Sequence, residues 1–114
     1  MNGSAKESQA LRPYLLCAVW CEVCRALRNE LVRLELAQYP LRWIDIEEHD
    51  EVLADLDIST LPTLVVTNTP GDVLFAGAVE PRFEIIERLL RNLALVDQPL
   101  ASMKLWKEAV SALR

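Results

Sequence analysis

The stretch 13–28 reads PYLLCAVWCEVCRALR and joins an apolar run to two closely spaced cysteines. Its residues 14–20 are nearly continuous in apolar side chains, which is typical of a central strand buried on both faces. Cys21 and Cys24 follow directly and begin a segment with helical spacing of apolar residues. The first turn of a helix carries unpaired backbone N–H groups and the positive end of the helix dipole. Because a thiolate is stabilised there, we predict that Cys21 is an attacking thiol and Cys24 a resolving thiol in disulfide exchange.

The composition is that of one globular domain. The 114 residues are enough to bury a core without disulfide staples, and 52% of them are hydrophobic. The net charge of −5 argues against a nucleic-acid or anionic-membrane surface as a partner. No signal peptide is recognisable at the N-terminus, and the apolar run 14–20 is too short to cross a bilayer. We therefore expect a single domain, 1–114, in the cytoplasm, where thiols are kept reduced.

The third cysteine, Cys17, falls inside the predicted strand, four residues before Cys21. Four residues of strand span roughly 13 Å, too far for a disulfide, so we expect Cys17 to be a core residue. A structural zinc site usually needs four ligands, and only Cys17 and His49 are available beside the Cys21–Cys24 pair. Cys17 is predicted inside the first strand, and His49 follows the second strand on the far side of a helix. We therefore do not expect these two side chains to meet at the dithiol. The pattern thus favours a redox dithiol over a zinc half-site or a vestigial dithiol on a binding module, and no metal is expected.

Hydrophobic periodicity predicts the elements after this stretch. A helix over about 22–37 is predicted from one apolar face, formed by Val23, Leu27, Leu31, Val32, Leu34 and Leu36. The following elements are, in chain order, a parallel strand at 41–46, a short helix at 50–56, a strand at 63–67, a returning strand at 73–76 and a helix from residue 80. A last helix is predicted from a stripe formed by Leu100, Met103, Trp106, Val110 and Leu113. This order of elements predicts an α/β fold.

Prolines and a glycine mark three boundaries. Pro13 suits the start of the first strand, because its missing N–H costs least there. The segment 69–72 has proline and then Gly71 at its centre, the pattern of a type II turn. Pro81 suits the first position of a helix.

The C-terminal stripe has two interpretations. Packing on the domain is favoured, and a contact with a partner or a second copy through this helix is the alternative. Lys104 and Lys107, on the other face, are expected to be solvated. We expect a monomer.

The sequence from Trp20 to Cys24, WCEVC, resembles the W-C-x-x-C active site of the thioredoxin family. The segment 61–63, LPT, resembles the cis-proline loop of that family, and Gly77 stands where the family commonly has a glycine before its last helix. The resemblance covers roughly residues 13–95. It implies a thioredoxin-like fold with a central mixed four-stranded sheet flanked by helices. An extra C-terminal helical extension, at about 99–114, follows that core.

The resemblance also implies an activity, namely thiol–disulfide oxidoreduction on protein substrates and a role in cell redox homeostasis. It implies a cis bond between Leu61 and Pro62, and substrate contacts from Trp20, Thr60, Leu61 and Pro62. An upstream thiol reductase would reset the Cys21–Cys24 pair, and no metal or organic cofactor is implied. The alternative is a redox-inactive or dedicated adaptor module that uses the cis-Pro62 groove.

This chain departs from the thioredoxin pattern at three places. The usual Gly-Pro between the cysteines is replaced by Glu22 and Val23, and the buried aspartate of the family by Leu15. The lysine that partners this aspartate corresponds to Trp43. In the family, the buried aspartate takes the proton of the resolving thiol. We therefore expect a mixed disulfide that resolves slowly near neutral pH and faster as the pH rises.

Overall fold

The computed structural model describes residues 10–37, 40–54, 56, 58, 60–68, 71–95 and 104–113, with the side chains of all of these except 33–37 and 104. Its elements are β1 (Leu11–Cys17), α1 (Glu22–Ala37), β2 (Arg42–Asp45), α2 (Asp50–Leu53), β3 (Thr63–Asn68), β4 (Val73–Ala78), α3 (Phe83–Leu93) and α4 (Lys104–Leu113). Within these ranges no helix has the length and apolar character needed to span a membrane.

The four strands form one mixed sheet in the order β2-β1-β3-β4. β1 and β2 are parallel, and α1 makes the crossover between them, as a parallel connection requires. β3 is antiparallel to both β1 and β4, and the β3–β4 pairing is interrupted by an irregularity between Val66 and Thr67. The predicted mixed four-stranded sheet with flanking helices is confirmed.

β1 lies between β2 and β3 and is buried along nearly its whole length. It begins at Leu11, so the expectation that Pro13 opens the strand is wrong. Pro13 pairs with Val66 of β3, whereas the ladder to β2 begins only at Tyr14. A proline is tolerated there because one side of it carries no ladder that needs its N–H.

Two hydrophobic clusters cover the two faces of the sheet. Side chains of β1 alternate between them, as the pleat of a strand requires: Leu15 and Cys17 belong to the cluster under α1 and α3, and Tyr14 and Leu16 to the cluster under α2 and α4. The dithiol segment therefore begins at the end of a strand that is packed from both sides. This packing holds the segment in place.

The buried face of α1 is formed by Cys24, Leu27 and Leu31. The expectation that Val23 and Val32 belong to it is wrong, since their exposed fractions are 47% and 49%. The three buried residues follow the spacing i, i+3, i+7 and meet the sheet, and the two valines lie one position away from that stripe. Leu34 and Leu36, also predicted on this face, lie outside the residues whose side chains are described.

Two helices begin or end differently from the expectation. α2 ends at Leu53, because the N–H of Leu56 donates to the Leu53 carbonyl at 3.0 Å in a tight turn that replaces the helical pattern. α3 begins at Phe83 with Arg82 as its N-terminal cap, so Pro81 precedes the helix and is not its first residue. The extended backbone of Arg82 separates the proline from the helix. The buried face of α3 is as predicted, with Phe83, Ile86, Leu90 and Leu93.

The C-terminal helix α4 packs on the domain. Val110 and Leu113 are buried in the cluster under α2 and α4, and Trp106 packs against it, which confirms the favoured interpretation for these residues. Leu100 and Met103 lie outside the described residues. Lys107 is not simply solvated, since its Nζ atom lies 2.7 Å from Oδ1 of Asp72 in a partly exposed ion pair.

The turn before β4 contains Gly71, whose φ of 99° is in the left-handed region that favours glycine. The side chain of Asn68 accepts hydrogen bonds from the N–H groups of Gly71 and Asp72. Residues 69 and 70 of the predicted turn lie outside the described residues.

Candidate active site at the cysteine cluster

The site lies at the connection between β1 and α1. β1 ends at Cys17, the N–H of Cys21 donates to the Ala18 carbonyl at 3.0 Å, and α1 begins at Glu22. The Cys21 carbonyl accepts the first bond of the helix, from the N–H of Arg25 at 3.1 Å. Cys21 is thus the N-cap residue of α1, as the sequence predicts for an attacking thiol.

The side chain of Cys21 also acts as a cap. Its Sγ atom accepts a hydrogen bond from the backbone N–H of Cys24 at 3.4 Å, the contact that a capping oxygen makes in other helices. The hydrogen bond from the Cys24 thiol is the largest influence that lowers the pKa of Cys21, and the N–H groups of Cys24 and Val23 and the charge of Arg25 add to it. Partial burial opposes these effects, and the pKa is lowered on balance. Cys21 is therefore polarised toward its thiolate.

Cys24 is much less accessible than Cys21. Its exposed fraction is 2%, whereas Cys21 is half-buried, and both thiols are free. Burial is the main cause that raises the pKa of Cys24, and donation to Cys21 raises it further. Hydrogen bonds from the Cys17 thiol and from the backbone N–H of Ala18 act in the opposite direction. Cys24 thus stays protonated while it donates to Cys21.

Cys17 is a buried core residue, as the sequence predicts. Its exposed fraction is 7%, and it lies in the same core cluster as Cys24. Burial raises the pKa of Cys17 strongly, and its contact with Cys24 raises it further. The first turn of α1 packs against the end of β1, so Cys17 lies near Cys24 although four residues of extended strand would separate it from Cys21.

A cavity of about 160 Å³ adjoins the buried thiols. It is lined by Cys17, Ala18, Val19, Cys24, Arg25, Arg28, Trp43, Ile44 and Asp45. These residues come from the carboxyl ends of the parallel strands β1 and β2 and from the first turns of α1, the usual place for sites in sheets of this kind. The guanidinium carbon of Arg28 lies 5.4 Å from the centre of the Trp43 ring, within range of a cation–π contact. The sequence did not point to this cavity, because it depends on the pairing of β1 with β2.

The predicted proline loop lies at the same edge of the sheet as the cysteines. The Leu61–Pro62 peptide bond is cis, as expected. Thr63, the first residue of β3, pairs with Leu16 of β1, so the loop before β3 adjoins the segment that follows β1. The Pro62 carbonyl accepts a hydrogen bond from the Val79 N–H at 3.2 Å.

The loop and the dithiol also share one core cluster. Leu61 and Cys21 are both partly buried and pack against the cluster under α1 and α3. Thr60 is exposed, and its carbonyl accepts a hydrogen bond from the Thr63 hydroxyl at 2.6 Å. The loop is therefore tied to β3 beside the cysteine cluster.

Exposed apolar side chains surround Cys21. Val19 and Trp20 precede it with exposed fractions of 65% and 62%, and Val23 follows it. Trp20 does not cap the core. The side chains that the sequence singled out, Trp20, Cys21, Cys24, Leu61 and Pro62, thus lie at one edge of the sheet. Throughout the described ranges, no three His, Cys, Asp or Glu side chains are arranged to hold a metal ion.

Several solved thioredoxins have the same architecture. Mitochondrial thioredoxin 3 from Saccharomyces cerevisiae in its oxidised form matches with a TM-score of 0.63 at 16% identity, over 79% of this chain and 84% of that one. A mutant thioredoxin from Halobacterium salinarum gives a TM-score of 0.65 at 18% identity, over 79% and 80%. Thioredoxin from Fasciola hepatica gives 0.63 at 16%, over 79% and 85%. This chain has the thioredoxin fold. No family model and no curated protein matches the sequence.

The thioredoxin fold locates the departures noted in the sequence. Leu15 is fully buried in the cluster that also contains Cys24. Trp43 pairs with Leu15 across the sheet and lines the cavity beside Arg28. Leu15 and Trp43 therefore form an apolar pair near the buried thiols.

Proposed function

We propose that this protein is a thiol–disulfide oxidoreductase that acts on protein substrates through the Cys21–Cys24 couple. The observation that carries the proposal is the hydrogen bond from the Cys24 backbone N–H to Cys21 Sγ at the start of α1. It leaves a partly accessible sulfur polarised toward thiolate next to a buried, protonated one. A thiolate with a neighbouring thiol is the arrangement that disulfide exchange requires.

The reaction proceeds in two exchange steps. The Cys21 thiolate attacks one sulfur of a substrate disulfide, and the other substrate sulfur leaves as a thiolate, which takes a proton from water. Cys24 then loses its proton and attacks Cys21 Sγ, which breaks the mixed disulfide and releases the second substrate thiolate. The substrate gains two electrons, and the Cys21–Cys24 pair becomes a disulfide. An upstream thiol reductase returns the two electrons.

The exposed surface around Cys21 is proposed to bind the substrate. Trp20 offers a large apolar contact, and the loop of Thr60, Leu61 and Pro62 offers backbone groups beside the dithiol. An extended segment of a protein substrate fits these features better than a small molecule does, because the contacts are spread along one edge of the sheet. We also propose that the protein acts in the cytoplasm, as expected from the sequence, because thiol reductants are present there.

The adaptor alternative uses the same edge of the sheet without the chemistry. It assigns no role to the hydrogen bond between Cys24 and Cys21 Sγ, so we do not favour it. The two functions differ in one outcome. Binding by an adaptor survives when Cys21 and Cys24 are both replaced by serine, whereas substrate reduction does not.

The test combines the reduced protein with a disulfide-bonded, fluorescently labelled protein substrate. We expect reduced substrate and a Cys21–Cys24 disulfide, identified by peptide mass spectrometry. Cys24→Ser should accumulate a mixed disulfide at Cys21, and Cys21→Ser should form none. An unreactive wild-type protein, or a mixed disulfide trapped at Cys17 or Cys24, would overturn the proposal.

A further inference from the structure

Cys17 is a buried thiol that the proposed exchange reaction does not use. It is the last residue of β1, lines the cavity together with Cys24, and lies in the same buried cluster as that thiol. No exchange partner reaches it directly, because its exposed fraction is only 7%. Because Cys17 lies beside Cys24, it can influence the reaction through that thiol.

The second step of the proposed reaction creates a problem at Cys24. This residue must become a thiolate, although its side chain is 98% shielded and burial disfavours the charge. Leu15 lies in the same cluster as Cys24 and is fully buried and apolar, so it offers neither a charge nor a hydrogen bond. The charge that forms on Cys24 therefore needs hydrogen-bond donors from elsewhere.

We propose that Cys17 is a positioning residue whose S–H group donates a hydrogen bond to the resolving thiolate of Cys24. Ala18, the next residue, lines the same cavity, and its backbone N–H is the second donor that we assign to this sulfur. In this assignment the chain after β1 offers two successive donors to Cys24, a thiol from Cys17 and an amide from Ala18. This inference rests on the proposed function.

The direction of the hydrogen bond follows from the surroundings of Cys17. Burial raises the pKa of Cys17 well above that of an ordinary thiol, so Cys17 remains protonated through the neutral range. A protonated thiol is a donor, and Cys24, which must ionise to attack the mixed disulfide, is then the acceptor. The chain of donation runs from Cys17 to Cys24, and from Cys24 to Cys21 before the substrate arrives.

Other charged groups also face this pair. Arg25 and Arg28 of α1 and Asp45 of β2 line the cavity, and Cys21 lies on the helix-start side. The two guanidinium groups favour a thiolate in this cavity, and the Asp45 carboxylate opposes it. The proton that leaves Cys24 passes to the solvent. Cys17 itself gives up no proton and no electrons.

The test isolates the second step. A mixed disulfide between Cys21 and a fluorescent peptide thiol is prepared, and peptide release is followed from about pH 6 to about pH 10 in the wild type, Cys17→Ala and Cys17→Ser. Cys17→Ala removes the donor, whereas Cys17→Ser keeps one. Ile44→Val, which removes a methyl group from the wall of the same cavity, is the matched control for packing.

We expect Cys17→Ala to move the midpoint of the rate–pH profile up by about one unit, the effect of losing one hydrogen bond to a charge. Near neutral pH, release should slow by about threefold, because a thiolate of higher pKa is rarer but more nucleophilic. Cys17→Ser should restore most of the wild-type profile. Ile44→Val should leave the midpoint in place.

A second measurement does not depend on the proposed function. In a Cys21→Ser background, the thiolate absorbance of Cys24 is titrated with Cys17 intact, with Cys17→Ala and with Cys17→Ser. The Cys24 pKa should rise by about one unit with alanine and return with serine. An unchanged Cys24 pKa would overturn the inference, as would equal shifts with alanine and serine. If the titration behaves as expected but no mixed disulfide forms in the wild type, the proposed function fails and the hydrogen bond stands.

Discussion

The Sγ atom of Cys21 accepts a hydrogen bond from the backbone N–H of Cys24, with a nitrogen–sulfur distance of 3.4 Å. This contact places a sulfur where a helix N-cap normally has an oxygen. This hydrogen bond gives a partner to one of the N–H groups in the first turn of α1 that have no helical acceptor. It also stabilises negative charge on Cys21. Folding of the helix and activation of the thiol share one hydrogen bond.

The first prediction separates the backbone donor from the side-chain donor at Cys21. Because the Cys24 thiol makes the largest contribution to the lowered Cys21 pKa, Cys24→Ala should raise that pKa. Cys24→Ser retains a donor and should raise it less. The backbone N–H persists in both variants, so the pKa should stay below that of an unstructured thiol. The rate of alkylation as a function of pH measures it, and equal values for alanine and serine would contradict the assignment.

The second prediction concerns stability in alkali. Burial raises the pKa values of Cys17 and Cys24 in the folded protein, so the unfolded chain loses these protons first as the pH rises. The stabilisation is complete below the unfolded thiol pKa of about 8.5 and is lost above it. Denaturant unfolding of the reduced protein should show a free energy that falls by up to about 1.4 kcal/mol per pH unit for each of the two thiols.

Substitutions show how much of this loss of stability at high pH comes from each cysteine. Cys17→Ser removes one titrating group and should flatten the decline above about pH 8.5. Cys21→Ser is the control. Because folding lowers the pKa of the Cys21 thiol, the stabilisation from its thiolate is already complete in this pH range. The free energy of unfolding of this variant should therefore decline as in the wild type. A wild-type free energy that is constant between about pH 8.5 and about pH 10 would refute the prediction.

The third prediction compares two leucines of α4. Leu113 is buried at 3% exposure against the sheet, whereas Leu105 is 55% exposed. Leu113→Ala should lower the free energy of unfolding by about 2–5 kcal/mol through lost burial and a cavity. Leu105→Ala should change it by no more than about 0.5 kcal/mol. Equal effects in urea denaturation would mean that α4 does not pack on the domain through this face.

The fourth prediction tests the proposed substrate surface at Trp20. Because this side chain is 62% exposed, Trp20→Ala should leave the free energy of unfolding within about 0.5 kcal/mol of the wild type. Reduction of a protein disulfide should lose about fivefold or more in kcat/KM, since burying an aromatic anchor on a partner is worth at least about 1 kcal/mol. Reduction of a small aromatic disulfide should change little.

The matched control is Val32→Ala, an exposed apolar position further along α1. It should affect neither substrate. A Trp20→Ala variant that reduces both substrates at the wild-type rate would remove Trp20 from the proposed binding surface.

Much of the fold follows from local patterns. The apolar run of β1 and the periodicity of α3 predict elements that the structure confirms, because each pattern is produced by burial of one continuous face. Boundaries were less predictable. Pro13 falls inside β1 and Pro81 before α3, since a proline marks a region where hydrogen bonds are missing and not the residue where an element begins.

A dithiol at the start of a helix can be predicted from the sequence, because the strand, the two cysteines and the helical spacing all lie in consecutive residues. The sequence also indicated the proline loop, through a short motif. The groups that surround the dithiol could not be predicted in this way, because they come from separate parts of the chain. Cys17 meets Cys24, and Asp45 and Arg28 reach the same cavity, because β1 pairs with β2 while α1 folds back across them. Such contacts depend on the packing of a helix against a sheet, which no local pattern of residues encodes.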